Sequence, residues 1–195
     1  KHFVSLNKID LTMKDDIGQN ILHIACEKGS LDLVKYLISL DKINVTEVDN
    51  NKKTSMHHSC LNKKYASTII KYLISLNKIN LDAKDKNKKT VLFYACEYGN
   101  FELFQLLQKS HKFDLDEQDI NGKTILHYAC LIGNFYLVQT IISLGAITTT
   151  KDKNNSTILH CACEKGNLDI VNFLINRGEF NINDKNKNRM TPYKY

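Results

Sequence analysis

Along the chain, apolar residues gather in short clusters at helical spacing, separated by polar turns rich in lysine and asparagine. Between positions 168 and 175, Leu168, Val171, Leu174 and Ile175 recur three and four residues apart, and Ile170 and Phe173 widen the apolar face. A helix that is apolar around most of its girth needs cover on several sides. Just upstream, Thr157-Ile158-Leu159-His160-Cys161-Ala162-Cys163 reads as a shorter helix, joined to the longer one through Glu164-Lys165-Gly166-Asn167. The unit is therefore turn, short helix, tight loop, second helix, and its cover has to come from neighbouring units.

The same order recurs along the sequence. Asp15, Asp49, Asp85, Asp119 and Asp152 are spaced by 34, 36, 34 and 33 residues, and Cys26, Cys60, Cys96, Cys130 and Cys163 repeat those spacings. Thr54, Thr90, Thr124, Thr157 and Thr191 keep step, with Asn20 in the first copy. So do His23, His57, His127 and His160, with Phe93 in the third copy. Self-similarity at such a period marks a solenoid, in which each copy hides its apolar face against the next. The chain reads as one domain, 1–195: the end of a partial repeat (1–14), full repeats 15–48, 49–84, 85–118, 119–151 and 152–185, and the start of another (186–195). Ser5 to Ile9 repeats Ser75 to Ile79 residue for residue, which reads Lys1 to Leu6 as the tail of a preceding second helix. Further flanking repeats are expected from this.

Local chemistry agrees with the division. Gly29, Gly99, Gly133 and Gly166 fall between the two helices, Gly18 and Gly122 in the turns, and Gly145 and Gly178 after the second helix. Where that last glycine is missing, Asp41, Asn77 or His111 stands there, and a left-handed residue is expected at each. The second repeat is two residues longer, with Asn62-Lys63-Lys64-Tyr65 in place of the glycine loop, so a distorted, looser connection is expected.

Five segments carry a specific resemblance: Asn20-Ile21-Leu22-His23-Ile24-Ala25, Thr54-Ser55-Met56-His57-His58-Ser59, Thr90-Val91-Leu92-Phe93-Tyr94-Ala95, Thr124-Ile125-Leu126-His127-Tyr128-Ala129 and Thr157-Ile158-Leu159-His160-Cys161-Ala162. They are similar to the Thr-Pro-Leu-His-x-Ala signature of ankyrin repeats. Ile, Ser or Val replaces proline except at Pro192, a favourable but dispensable residue at the first helical position. The resemblance implies an all-α ankyrin-repeat solenoid with β-hairpin-like turns, a role in protein–protein interaction, and no enzyme activity. It also implies that threonine and histidine hydrogen-bond locally at the turn–helix junction.

Composition changes this picture little. Hydrophobic residues make up 43% and charged residues 25%, ordinary for a folded protein. No apolar run approaches a membrane span. Six cysteines could suggest disulfides, but equivalent positions on helices packed about 8–10 Å apart lie beyond the roughly 7 Å limit for bridged Cα atoms. They read as small buried residues of a reducing compartment, cytoplasmic or nuclear. Cys161 is expected as a free thiol on the variable face. His160, Cys161 and Cys163 do not share a helix face, and no second ligand pair follows, so no metal and no cofactor are expected. His127/Cys130 resembles a catalytic dyad, but the same pair recurs at 23/26, 57/60 and 160/163, which marks scaffold rather than an active site.

Two surfaces remain. The net charge is +6, and all but two of the 27 basic residues are lysine. Many sit at the turn tips, Lys52, Lys53, Lys88, Lys89 and Lys123 among them. They read as a solvated edge, or alternatively as a grip on an acidic partner, an anionic membrane or nucleic acid. Nucleic acid is the poorer fit, because arginine and stacking aromatics are missing there. The second surface consists of positions that face the concave side in the family the chain resembles. Tyr94, Tyr98, Tyr128, Leu131, Ile132, His58 and Leu61 form an aromatic and aliphatic centre within a charged rim, the anatomy of a protein-docking site. The expected partner is another protein rather than a small molecule. A third alternative is that the repeats accompany an enzyme domain elsewhere in a longer chain.

Overall fold

The computed structural model describes residues 10–194. Among these are ten α-helices: α1 (Ile21–Lys28), α2 (Leu31–Ser39), α3 (Ser55–Ser59), α4 (Ala66–Ser75), α5 (Val91–Glu97), α6 (Phe101–Ser110), α7 (Ile125–Ile132), α8 (Phe135–Ser143), α9 (Ile158–Lys165) and α10 (Leu168–Asn176). A single 3-10 turn follows at Pro192–Lys194. The helix tail expected at Lys1 to Leu6 lies outside the described residues. The fold is all-α and built of stacked helix pairs. Extended pairing is confined to isolated antiparallel bridges in the turns, such as Lys14 with Asn20 and Val48 with Thr54.

The contacts divide the chain into two compact units, Lys1–Lys86 and Asn87–Tyr195. In the first unit α1 packs on α3 and α2 on α4; in the second α7 lies between α5 and α9, and α8 packs on α10. The odd-numbered helices bury the residues of the repeated signature: Leu22, Met56, Leu92, Leu126 and Leu159 are all inside. At about 25 cal/mol per Å² of apolar surface removed from water, this face is the main stabilising contribution of each pair.

Four of the five short helices start where a polar residue caps them, while Thr90 before α5 has no side-chain cap bond. Asn20, Thr54, Thr124 and Thr157 form reciprocal boxes in which their side chains bond the third helical residue and that residue, a histidine, bonds back. Most of the longer helices are capped differently. The Oδ1 atoms of Asn100, Asn134 and Asn167 accept the N–H of Leu103, Leu137 and Ile170 at 3.0–3.1 Å. The Nδ2 of Asn134 donates to Gly99 O at 3.2 Å, and that of Asn167 to Gly133 O at 3.0 Å, so each cap also ties its repeat to the one before.

The second repeat breaks this scheme, as its extra length implies. Its short helix α3 has five residues, and Tyr65, which precedes α4, supplies no capping side chain. Asn62 does the displaced cap's work, donating to Glu27 O at 3.3 Å and accepting Tyr65 N–H at 3.1 Å.

Asp41 and Asn77 adopt the left-handed conformation expected after α2 and α4, both with φ 52°. His111 does not. It is extended (φ −156°, ψ 147°), and its ring packs edge-on against Phe113 at 4.7 Å, so aromatic packing rather than a left-handed cap ends α6.

Candidate functional site

The turn that opens each repeat is built by one carboxylate. Asp119 Oδ1 accepts the N–H groups of Asn121 and Lys123 at 2.8 and 2.9 Å, and Asp49 and Asp152 do the same in their own turns. The second oxygen is taken from the helix that follows. In the second unit Tyr128 Oη donates to Asp119 Oδ2 at 2.7 Å. In the first unit, His58 Nε2 stands 3.1 Å from Asp49 Oδ2. The position after the signature histidine therefore turns towards the turn, and this decides what it can offer a partner.

The signature histidines are fixtures of the same junction. His127 Nδ1 accepts the N–H of Thr124 at 3.2 Å, so Nε2 carries the proton, and it faces Ser156 O at 3.4 Å across to the next repeat. His23 bonds Asn20 N–H and Glu47 O in the same way, and His160 bonds Thr157 N–H and Met190 O. Burial pushes the His127 pKa down to about 4, against the pull of the Ser156 carbonyl. Burial also lowers His23, helped by the neighbouring His58.

With both ring nitrogens occupied, these histidines activate nothing. The thiols beside them are inert. Burial raises Cys26 to about 12 and pushes Cys60, Cys96 and Cys130 up as well, so none forms a thiolate nucleophile near neutral pH. All six cysteines are free. Cys161 corrects the sequence expectation: it is 2% exposed and raised to about 12 by burial, because its helix turns that position under the adjacent turn. Among the described residues no three His, Cys, Asp or Glu side chains converge as a metal cage.

The residues expected to dock a partner divide into two groups. Tyr94 is 4% exposed and His58 2% exposed, so neither can anchor a partner as it stands. His58 is enclosed by Asp49, by Glu27 Oε2 at 3.6 Å from its Nδ1, and by the His23 ring at 5.1 Å. Tyr94 lies beneath Tyr98, with ring centroids 6.1 Å apart. Tyr98, Tyr128 and Leu131 are half-buried, while Ile132 and Leu61 are each 37% exposed.

In the second unit close approaches set Ile132 beside Tyr98 and Lys165 beside Ile132. A Cβ on Gly99 would stand 3.2 Å from Ile132 Cγ1, and one on Gly133 would stand 3.1 Å from Lys165 Cγ. Ile132 thus lies on the backbone beside Tyr98, and the Lys165 stem lies on the backbone beside Ile132. Glycine is needed at these two points both for the close approach and for its positive φ, 67° and 75°.

Of the lysines expected at the tips, Lys52 and Lys88 are exposed, whereas Lys53 and Lys123 are half-buried. Lys89 is not a tip residue at all. It is 9% exposed; its Nζ pairs with Glu97 at 2.9 Å and lies over the Tyr128 ring, 4.4 Å from the centroid. It sits on the inward arm of its turn, where a long stem reaches an aromatic face and a carboxylate. Sequence reasoning missed Lys89 and Glu97 as supports of the tyrosines and missed Glu27 beside His58. The only available signal was their recurrence at fixed offsets from the turn aspartate.

No curated protein matches this chain significantly. The family model "Ankyrin repeats (3 copies)" matches it at residues 1–85, 62–152 and 132–195. With stacked helix pairs, histidine-closed caps and aspartate-built turns beneath that match, the chain belongs to the ankyrin-repeat family, whose fold generally mediates protein–protein interaction.

Proposed function

We propose that this chain is an interaction scaffold whose docking face is the row Tyr98, Tyr128, Leu131 and Ile132 of the second unit, rimmed by Glu97, Glu164 and Lys165. The observation that carries this is Ile132, more than a third exposed and seated on Gly99 beside Tyr98. Apolar side chains held by backbone contact keep one position and lose little freedom when covered, which favours them as anchors. A polar rim around such a centre excludes water without contributing much itself. The partner is another protein, in keeping with the general use of the ankyrin-repeat fold.

Replacing Tyr98 by Ala and Ile132 by Asp tests the reading. The double variant is expected to keep the helical circular dichroism of the parent and to lose, at least tenfold, affinity for any protein the parent captures. Equal affinity for those proteins would place the docking face elsewhere.

A further inference from the structure

The turn tips of the second unit form a separate feature. Successive tips are tied by backbone hydrogen bonds: Ile120 N–H to Asn87 O at 2.9 Å, Lys153 N–H to Asn121 O at 2.8 Å, and Lys187 N–H to Asn154 O at 2.8 Å. Each tip is also closed on itself, by Asp119, Asp152 or Asn186 through two backbone N–H groups. The tips are therefore fixed in register, and these N–H groups are already bonded, so an incoming chain is met chiefly by side chains.

Those side chains are of two kinds. Every tip carries a cation: Lys88, Lys123, Lys153, then Lys187 with Arg189. None of these five has a carboxylate within ion-pair distance among the described residues, although Lys151, nearby, is paired with Asp184 at 2.8 Å. The carboxylates of Asp119 and Asp152 are turned inward onto backbone N–H groups. Beside the cations, Asn121, Asn154 and Asn188 stand exposed at the same place on three consecutive tips. A carboxamide offers one donor group and one acceptor, the complement of a peptide bond.

From this geometry we infer that the tip ledge of the second unit binds an extended acidic segment of a protein, with one carboxylate meeting each tip. Packed helices stand about 8–10 Å apart, and an extended chain in the polyproline II form advances about 3.1 Å per residue with three residues per turn, so every third side chain returns to the same side. Carboxylates three residues apart therefore meet consecutive tips, while the peptide bonds between them face the asparagine amides. Nucleic acid is less well matched. The ledge holds one arginine, its single exposed large apolar side chain is Ile120, and there is no aromatic platform on which a base could stack.

The test uses the whole chain and fluorescein-labelled 12-residue peptides of equal charge. One carries glutamate at every third position among serines; the other carries its four glutamates in a block. Anisotropy titrations are read at 50 and 200 mM NaCl, beside a 12-nucleotide single-stranded DNA and phosphatidylserine vesicles. The spaced peptide is expected to bind at least fivefold more tightly than the block, with affinity falling severalfold at the higher salt. Replacing Lys153 and Lys187 by Gln is expected to remove at least three-quarters of that affinity. The Ile132→Asp variant should leave it within twofold, which separates this ledge from the docking face. Equal binding of the two peptides, tighter binding of the DNA or the vesicles, or indifference to the lysine changes would each overturn the inference.

Discussion

The two units solve the same local problem with different chemistry. Each contains a turn aspartate whose second oxygen points into the protein and needs a partner. In the second unit Tyr128 supplies a neutral hydroxyl from a half-buried side chain. In the first unit His58 supplies a ring nitrogen from a fully enclosed one, with Glu27 on its other side. The tyrosine stays half-buried, with Lys89 over its ring. The histidine leaves nothing outside. One substitution at an equivalent position thus makes the residue that closes a turn either half-exposed or part of the core.

Removing the aspartates should show the largest difference. Asp49→Ala removes the acceptor of two backbone N–H groups and leaves the enclosed His58 ring without its partner, and is expected to cost about 3 kcal/mol. Asp119→Ala leaves a tyrosine hydroxyl that water can reach and should cost about 2 kcal/mol, mainly for its two backbone donors. Urea denaturation of both variants measures this, and equal losses would mean that the imidazole adds nothing beyond hydrogen bonding.

Acid should act next. The His127 ring has a folded pKa of about 4, below its unfolded value near 6.5. A lowered histidine is neutral when folded and protonates on unfolding, so its contribution is complete above about pH 6.5 and is lost as pH falls towards 4. The difference of 2.5 pKa units corresponds to about 3 kcal/mol. His23 shifts in the same direction. Asp49 adds a later loss. Burial would raise its carboxyl, but the N–H groups of Lys53 and Asn51 and the His58 ring outweigh that and hold it below the ordinary range. Its contribution is present above about pH 4 and disappears below it. Urea midpoints recorded from pH 7 to 4 should fall steadily, and a flat profile over that interval would contradict the buried, neutral His127.

The cap comes third. Thr124→Ala should cost about 1 kcal/mol, and Thr124→Ser much less, because the hydroxyl is retained. Identical losses in thermal unfolding would show that the methyl group, not the cap, stabilises the junction. The smallest effect belongs to Ile132→Ala. Its exposed side chain should change stability by less than about 0.5 kcal/mol, so a larger loss in urea would show that Ile132 holds repeats together rather than being available to a partner.

Much of this architecture is legible without coordinates. A histidine three residues after a threonine, repeated with the turn aspartate at a constant offset, specifies a capped junction because both interactions are local. The apolar period specifies paired helices for the same reason. The failures lie where a long side chain chooses among neighbours distant in sequence. Lys89 looked like Lys88, yet one points outward from a residue with φ 63° and the other folds back over Tyr128, 39 positions away. Tyr94 and Tyr128 occupy equivalent positions, but one lies beneath Tyr98 and the other reaches partway to the surface. His111 has the side chain of a tolerable left-handed cap, and a ring contact to Phe113 decided otherwise.

By itself, the sequence determined the repeat through recurrence at 33–36 residues, and the helices, their caps, the turns and the inward face of each helix through spacing within about one turn of chain. Only the tertiary structure decided which tyrosines remain accessible, which lysines are spent on carboxylates and aromatic rings, and where Ile132 rests. Those outcomes depend on contacts between repeats some 34 residues apart, where packing and desolvation, rather than local preference, set the free energy of each side chain.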